Sequence, residues 1–157
     1  MELSASLRTT ASVTTVLGYV RELDAYPQWM PLVHSAVPEL GSNPVAWMVE
    51  LRARVGPFAR SKRLRMVRTA IDAAPSVDMA PDANSAQSTR IVFERRELDG
   101  RAHAQWRLAV DVVPTESGAM LTMHLSYDGR FFAGVVESIL RQHIDEGRRN
   151  LAELLAG

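Results

Sequence analysis

The chain has 157 residues, no cysteine, and eighteen basic residues set against eighteen acidic ones. At this length a single domain of residues 1–157 is expected, burying roughly 68–70% of its unfolded surface. The missing thiols exclude disulfides, thiolate metal sites and thiol catalysis, and the balanced charge leaves no overall field to steer nucleic acid or anionic lipid.

The N-terminus has no signal-peptide core and no apolar run approaches the roughly 20 residues of a membrane span, so a cytoplasmic protein is expected. Leu3, Ala5 and Leu7 alternate with Glu2, Ser4, Ser6 and Arg8, the period of a half-buried strand. Ser12 can cap a helix that runs to about Leu23, with Val13, Val16, Leu17, Val20 and Leu23 on its apolar stripe. Pro27 lacks an amide donor, which argues against a helix there, and biases Tyr26 toward extended backbone. Asp24-Ala25-Tyr26-Pro27-Gln28-Trp29-Met30-Pro31 therefore reads as a turn that holds two large aromatic rings. Strands follow near 33–40, 45–55 and 60–71, with Gly56-Pro57 breaking the last two apart. A loop rich in Ala, Pro, Ser and Asp spans 72–88, too long for a simple hairpin. Strands near 89–98, 103–114 and 119–127 complete the set, joined by turns at Asp99-Gly100 and Glu116-Ser117-Gly118.

A long helix at about 131–155 closes the chain, with Val136, Leu140, Ile144, Leu151, Leu154 and Leu155 on one stripe. Glu137 with Arg141, and Asp145 with Arg149, stand i,i+4 with the acid first and support the solvent face. His143 and Gly147 interrupt the stripe. A glycine inside a helix costs about 1 kcal/mol against alanine, so something should offset it. Close packing is the plainer reason for Gly147, and room for a ligand is the sharper one. His143 likewise reads first as a hydrogen-bonded core histidine and second as a catalyst.

Period two places Trp47, Val49 and Leu51 on one inner face, Trp106, Leu108, Val110 and Val112 on a second, and Leu121, Met123, Leu125 and Tyr127 on a third. On the two strands between, the apolar face runs into charge. Leu64 and Met66 lead to Arg68, while Ile91 and Phe93 lead to Arg95 and Glu97. An unpaired buried arginine is costly, so ion pairing with a glutamate is the expected arrangement, and a bulge would turn such residues outward. Aromatic, methionine and a few polar side chains converging from a curved sheet also describe a small-molecule cavity.

Sharper chemistry is missing. His34, His103, His124 and His143 show no metal spacing, and there is no HExxH, Gly-x-Ser-x-Gly, phosphate loop or GxGxxG. No metal or cofactor is expected. Arg60, Lys62, Arg63, Arg65 and Arg68 cluster on one strand, but alternation divides them between its faces and no nucleic-acid module accompanies them. A solvated or ion-paired strand is expected there, without a nucleic-acid partner.

The segment Leu23-Asp24-Ala25-Tyr26-Pro27-Gln28-Trp29-Met30-Pro31 resembles the turn after the first helices in the SRPBCC, or START-like, superfamily. Val55-Gly56-Pro57-Phe58 with the basic strand after it, Glu94-Arg95-Arg96-Glu97-Leu98-Asp99-Gly100, and Trp106 are similar to its bacterial members. The resemblance covers nearly the whole chain. It implies an α+β helix-grip fold, a seven-stranded antiparallel sheet curled around a long C-terminal helix with two short helices after the first strand. The 72–88 loop is longer than the connection usual in that group. The superfamily includes polyketide cyclases, lipid carriers and hormone-binding proteins, so the resemblance implies a cavity more firmly than an activity. The expected function is binding of a hydrophobic small molecule: a lipid, isoprenoid quinone or polyketide. The alternatives are a polyketide cyclase or aromatase-type enzyme, and an interaction subunit without a ligand. Ligand contacts are expected from Trp47, Met66, Arg68, Phe93, Arg95, Trp106, Met123, Tyr127, His143 and Gly147. His143, Arg95 and His124 are the candidates for proton transfer. Peripheral membrane contact, and a monomer or a homodimer, are left open.

Overall fold

Seven period-two segments need partners for their backbone amides and a common side for their apolar residues. An antiparallel meander supplies both. The computed structural model describes residues 1–74, 87–129 and 133–157. Its strands are β1 (Glu2–Thr9), β2 (Val33–Pro38), β3 (Ala46–Val55), β4 (Phe58–Ala74), β5 (Ser88–Arg95), β6 (Trp106–Thr115) and β7 (Gly118–Tyr127). The sheet order is β1-β7-β6-β5-β4-β3-β2, with every neighbouring pair antiparallel. Strands β2 to β7 follow one another in space as in sequence, and β1 returns to the free edge of β7. The helices are α1 (Val13–Val20), a 3₁₀ helix (Leu23–Gln28) and α2 (Ala133–Ala156). This is the expected helix-grip arrangement, with two short helices after the first strand.

Several boundaries differ from the sequence expectation, each for a local reason. Ser12 does cap α1, its hydroxyl accepting from the Thr15 amide at 3.1 Å. The helix stops at Val20 rather than Leu23, where Arg68 reaches across and donates to the carbonyl of Arg21 at 3.2 Å. Pro27 lies inside the 3₁₀ helix, contrary to the expected plain turn. Its fixed φ suits that short element, which needs few amide donors. Strand β5 ends at Arg95, short of 98, because Glu97 folds back and its carboxylate takes the Arg95 guanidinium at 2.8 Å and the Arg65 amide at 3.2 Å. Strand β6 begins at Trp106, after 103, since His103 is turned to Asp99 at 2.8 Å instead. Residues 72–74 of the expected loop extend β4; 75–86 lie outside the described residues, as do 130–132 at the expected start of the last helix. Strand β4 changes partner part-way, pairing with β3 up to Val67 and with β5 from Met66, with a register shift between Arg68 and Ala70.

On α2, Leu140, Leu151 and Leu155 are buried and Ile144 is half-buried. Leu154 is 39% exposed, a correction to the predicted stripe, and the side chain of Val136 lies outside the described residues. Position 154 is three residues round from Leu151, and the 100° step carries it past the edge of the buried face. Arg141 pairs with Glu137 at 2.7 Å as the spacing predicts, but Asp145 stands 3.6 Å from Arg148 rather than pairing with Arg149. Leu140→Ala should destabilise the protein by about 2–5 kcal/mol, against about 0.5 kcal/mol or less for Arg149→Ala on the solvent side. Denaturant midpoints of the two variants measure the contrast, and equal losses would mean the buried face is misassigned.

Candidate ligand cavity

The 3₁₀ helix and the residues after it form one wall of an internal space. The Tyr26 and Trp29 rings pack at a 41° tilt with centres 4.8 Å apart, and Tyr26 meets Phe93 of β5 edge-on at 6.3 Å, so the turn is keyed into the sheet by aromatic contacts. Their polar atoms are satisfied locally. The Tyr26 hydroxyl donates to the Val20 carbonyl and the Trp29 indole to the Tyr19 carbonyl, both at 3.0 Å. Burial raises the Tyr26 phenol beyond its usual range, which keeps it neutral. Trp47 of β3 packs edge-on against Phe93 and donates its indole N–H to Asp24 Oδ1 at 2.8 Å, drawing the start of the turn onto the sheet.

Between this turn, the concave sheet face and α2 lies a cavity partly open to solvent. It holds about 130 Å³ of space reachable by the centres of water molecules, about ten times what a single water needs. Leu3, Ala5 and Leu7 of β1, with Leu121, Met123 and Leu125 of β7, line one side. Val49, Leu51, Leu64, Met66, Trp106 and Leu108 extend the wall across β3, β4 and β6. Leu23, Tyr26, Trp29, Met30 and Leu32 close it from the turn, Val33 from the start of β2, and Ile144, Arg148 and Leu151 from α2. Ser6 also borders the space but shares its hydroxyl with Thr122, 3.3 Å away. Arg148 is exposed.

Of the residues singled out in the sequence, Met66, Trp106 and Met123 stand on this wall. Trp47 and Phe93 do not border the cavity; they are fully buried in the packed core, where the aromatic contacts hold them. Tyr127 lies beside the wall with its ring 4.6 Å from that of Trp106. The two arginines are engaged by protein groups. Arg68 meets Glu22 at 2.9 Å, and Arg95 meets Glu97 at 2.8 Å and the Ala104 carbonyl at 3.2 Å. His124 sits 2.6 Å from the Ser4 hydroxyl on an exposed face. His143 is half-buried and off the wall, and its Nδ1 has no hydrogen-bond partner among the described residues. Gly147 is covered by Met30: an added Cβ would stand 2.8 Å from the Met30 Cε and 2.9 Å from its sulfur. The packing reason for Gly147 is therefore the one present here. The glycine lets the Met30 thioether, itself part of the wall, lie against the helix.

Most of the wall lies outside the expected ligand contacts, including Leu3, Leu7, Tyr26, Trp29, Met30 and the leucines of β3, β4, β6 and β7. Strand alternation carries the signal for the leucines, whereas aromatic or charged character by itself does not distinguish a wall residue from a core or ion-paired one. Lys62, the only lysine of the chain, was also passed over. Its Nζ lies 5.9 Å from the centre of the Trp106 ring and 5.8 Å from that of Tyr127. Burial first, and then the charge of Arg95, hold its ammonium below the usual lysine range. The Trp106 indole N–H is buried without an acceptor among the described residues. Among those residues no three His, Asp or Glu side chains gather as a metal site, and no helix is long and apolar enough to cross a membrane.

An apolar space gripped between a curled antiparallel sheet and a C-terminal helix has a counterpart among known families. Residues 1–156 match the family described as "Polyketide cyclase / dehydrase and lipid transport". The chain belongs to this family. Solved structures of the START/SRPBCC superfamily share the fold. A START superfamily protein from Mycobacterium smegmatis aligns with a TM-score of 0.64 at 15% identity, covering 99% of this chain and 97% of that one. A STAR-related lipid transfer protein from Xanthomonas axonopodis gives 0.66 at 14% identity, covering 99% and 86%. The di-domain ARO/CYC StfQ of the steffimycin biosynthetic pathway gives 0.61 at 18% identity, covering 99% of this chain and 50% of its own. This chain thus spans half the length of that di-domain protein. No curated protein sequence matches it.

Asp24 supplies the acceptor for the buried indole of Trp47, so Asp24→Ala should cost about 1–3 kcal/mol by leaving that N–H unpaired. Asp24→Asn keeps an acceptor oxygen at the same place and should recover most of the loss. Thermal unfolding of the pair tests the link, and equal losses would show that the hydrogen bond does not hold the turn.

Proposed function

We propose that this family member binds a hydrophobic small molecule, of lipid, isoprenoid-quinone or polyketide type, in the cavity between sheet and α2. The observation that carries the reading is the composition of the wall. Among the described residues it is aliphatic, thioether and aromatic apart from Ser6, whose hydroxyl is shared with Thr122, and its titratable members are only Tyr26, whose hydroxyl is committed to Val20, and the exposed Arg148. Such a wall selects ligands by shape and apolar area, with few polar groups to fix orientation. Trp106 offers one such group. A ligand oxygen that reached its N–H would relieve a buried unpaired donor, worth about 1–3 kcal/mol. The lipid-transfer description of the Xanthomonas structure is consistent with this reading.

Polyketide cyclase-type catalysis in the same cavity is the second reading, supported by the family description and the ARO/CYC relatives. It requires a side chain that moves a proton at the wall, and His143, Arg95 and His124 all stand off it. Carriage is therefore the better supported of the two.

Native mass spectrometry of freshly purified protein should reveal a co-purified apolar ligand, and N-phenyl-1-naphthylamine should bind the native protein after delipidation. Ala5→Trp fills part of the space and should weaken that probe at least about tenfold, the effect of losing about 55 Å² of apolar contact. His143→Gln should leave probe binding unchanged. A wild-type protein that never binds the probe would overturn the cavity reading. Turnover of a polyketide substrate, abolished in His143→Gln with binding intact, would make the enzyme the correct reading.

A further inference from the structure

The β3–β4 hairpin reaches beyond the rest of the sheet. Its ladder runs from Ala46 paired with Val67 to Val55 paired with Phe58. Strand β2 accompanies β3 only as far as Leu51, and β5 accompanies β4 only from Met66. From Arg52 and Ser61 outward the two strands form a free-standing ribbon about 13 Å long at 3.3 Å per residue. Gly56, with φ of 61°, makes the turn at its end.

Charge on this ribbon is of one sign. Residues 51–71 contain seven basic side chains and no acidic one, in a chain whose net charge is zero. Arg65 and Arg68 are paired with Glu39 and Glu22 on the body of the protein, and Arg52 stands 3.5 Å from Glu50. Arg54, Arg60 and Arg63 have no ion pair among the described residues and are exposed, whereas Lys62 is laid back over the Trp106 and Tyr127 rings. Alternation puts Arg60 on one face of the ribbon and Arg52 and Arg54 on the other, with Arg63 just beyond its foot, so cations stand on both faces. Its tip is apolar: Gly56-Pro57-Phe58, with Phe58 67% exposed.

We propose that this ribbon is a membrane-docking finger, which inserts Pro57 and Phe58 end-on at the acyl boundary of an anionic bilayer while its cations meet the phosphates. The dimensions fit. Arg60 lies two residues, about 7 Å, from Phe58, comparable to the roughly 5–8 Å depth of one headgroup layer. Arg63 follows within about one Debye length of that layer, where a negative surface potential still acts on it. Cations on both faces around an apolar tip suit a planar anionic surface met end-on; a nucleic-acid groove is better served by cations on a single face. Leu51, on the cavity wall, lies at the foot of the ribbon, so docking would bring the cavity beside the bilayer. The finger does not depend on the cavity reading, because vesicle binding is measured without a cavity ligand.

The test is co-sedimentation with vesicles of phosphatidylcholine containing 30% phosphatidylglycerol, against vesicles of phosphatidylcholine alone. Wild-type protein should bind the anionic vesicles and lose them as salt rises. Arg54→Gln with Arg60→Gln should weaken binding by roughly 30-fold, from two cations near the surface. Phe58→Ala should weaken it by roughly tenfold, while Arg141→Gln with Arg149→Gln on α2 should have no effect. Thermal midpoints and N-phenyl-1-naphthylamine binding should be unchanged in the finger variants, which separates failure of the finger from failure of the fold or the cavity. Equal binding to both vesicle types, full binding by Phe58→Ala, or a DNA duplex that displaces the vesicles through the same arginines would each overturn the proposal.

Discussion

Trp29 is engaged with three parts of the molecule at once. Its indole donates to the Tyr19 carbonyl near the end of α1, its backbone carbonyl accepts from Asn150 of α2, and its ring lies against Tyr26. Tyr26 in turn meets Phe93 on the sheet, and Trp47 ties Asp24 to β3. Helix α1, sheet and α2 are thus indexed to one short aromatic segment. The rest of the architecture depends on that arrangement. It fixes α2 through the turn and β1, so the remaining concave surface need not be filled by helix side chains. A cavity is what is left where the sheet curves and the helix is held at its far end.

Keeping that space apolar requires that the charges on the inner face be neutralised elsewhere. Period two sends Arg68 and Arg95 inward, and a bare guanidinium on an apolar wall would cost far more than the cavity could offset. Both are taken up by glutamates before they reach it. Arg68 turns to Glu22 beyond α1 and lies 5.8 Å from the Trp47 ring, while Arg95 turns to Glu97. Such pairs are weak evidence for stability in themselves. Here they leave the wall to apolar side chains, with Ser6, the Tyr26 hydroxyl and the exposed Arg148 as its polar exceptions. Lys62 is a further inner-face cation, held over Trp106 and Tyr127 with no anion bonded to it among the described residues.

Met30 and Gly147 show how a local irregularity serves the whole. A glycine in the middle of a long helix is unfavourable by itself, and the thioether that occupies its place comes from the turn. Methionine is suited to this because its unbranched chain adapts to irregular gaps. The same side chain faces the cavity, so the helix–turn junction and the cavity wall are one piece of packing.

Much of the fold was legible in the sequence because its signals are local. Alternation marked seven strands and their inner faces, Ser12 marked the start of α1, and the stripe with Leu140, Leu151 and Leu155 marked α2. The aromatic turn was visible as well, since a proline between two rings limits what the backbone can do. The cavity's composition was implicit in the inner-face leucines, although reasoning from residue type favoured Trp47, Phe93, Arg68 and Arg95. Only the tertiary structure decided that the first two are core and the last two are ion-paired. Whether an inward residue meets solvent, a ligand or a neighbour depends on partners distant in sequence: Asp24 for Trp47, Glu22 for Arg68, Met30 for Gly147. Periodicity gives the direction of a side chain, and packing between distant segments determines what it finds there.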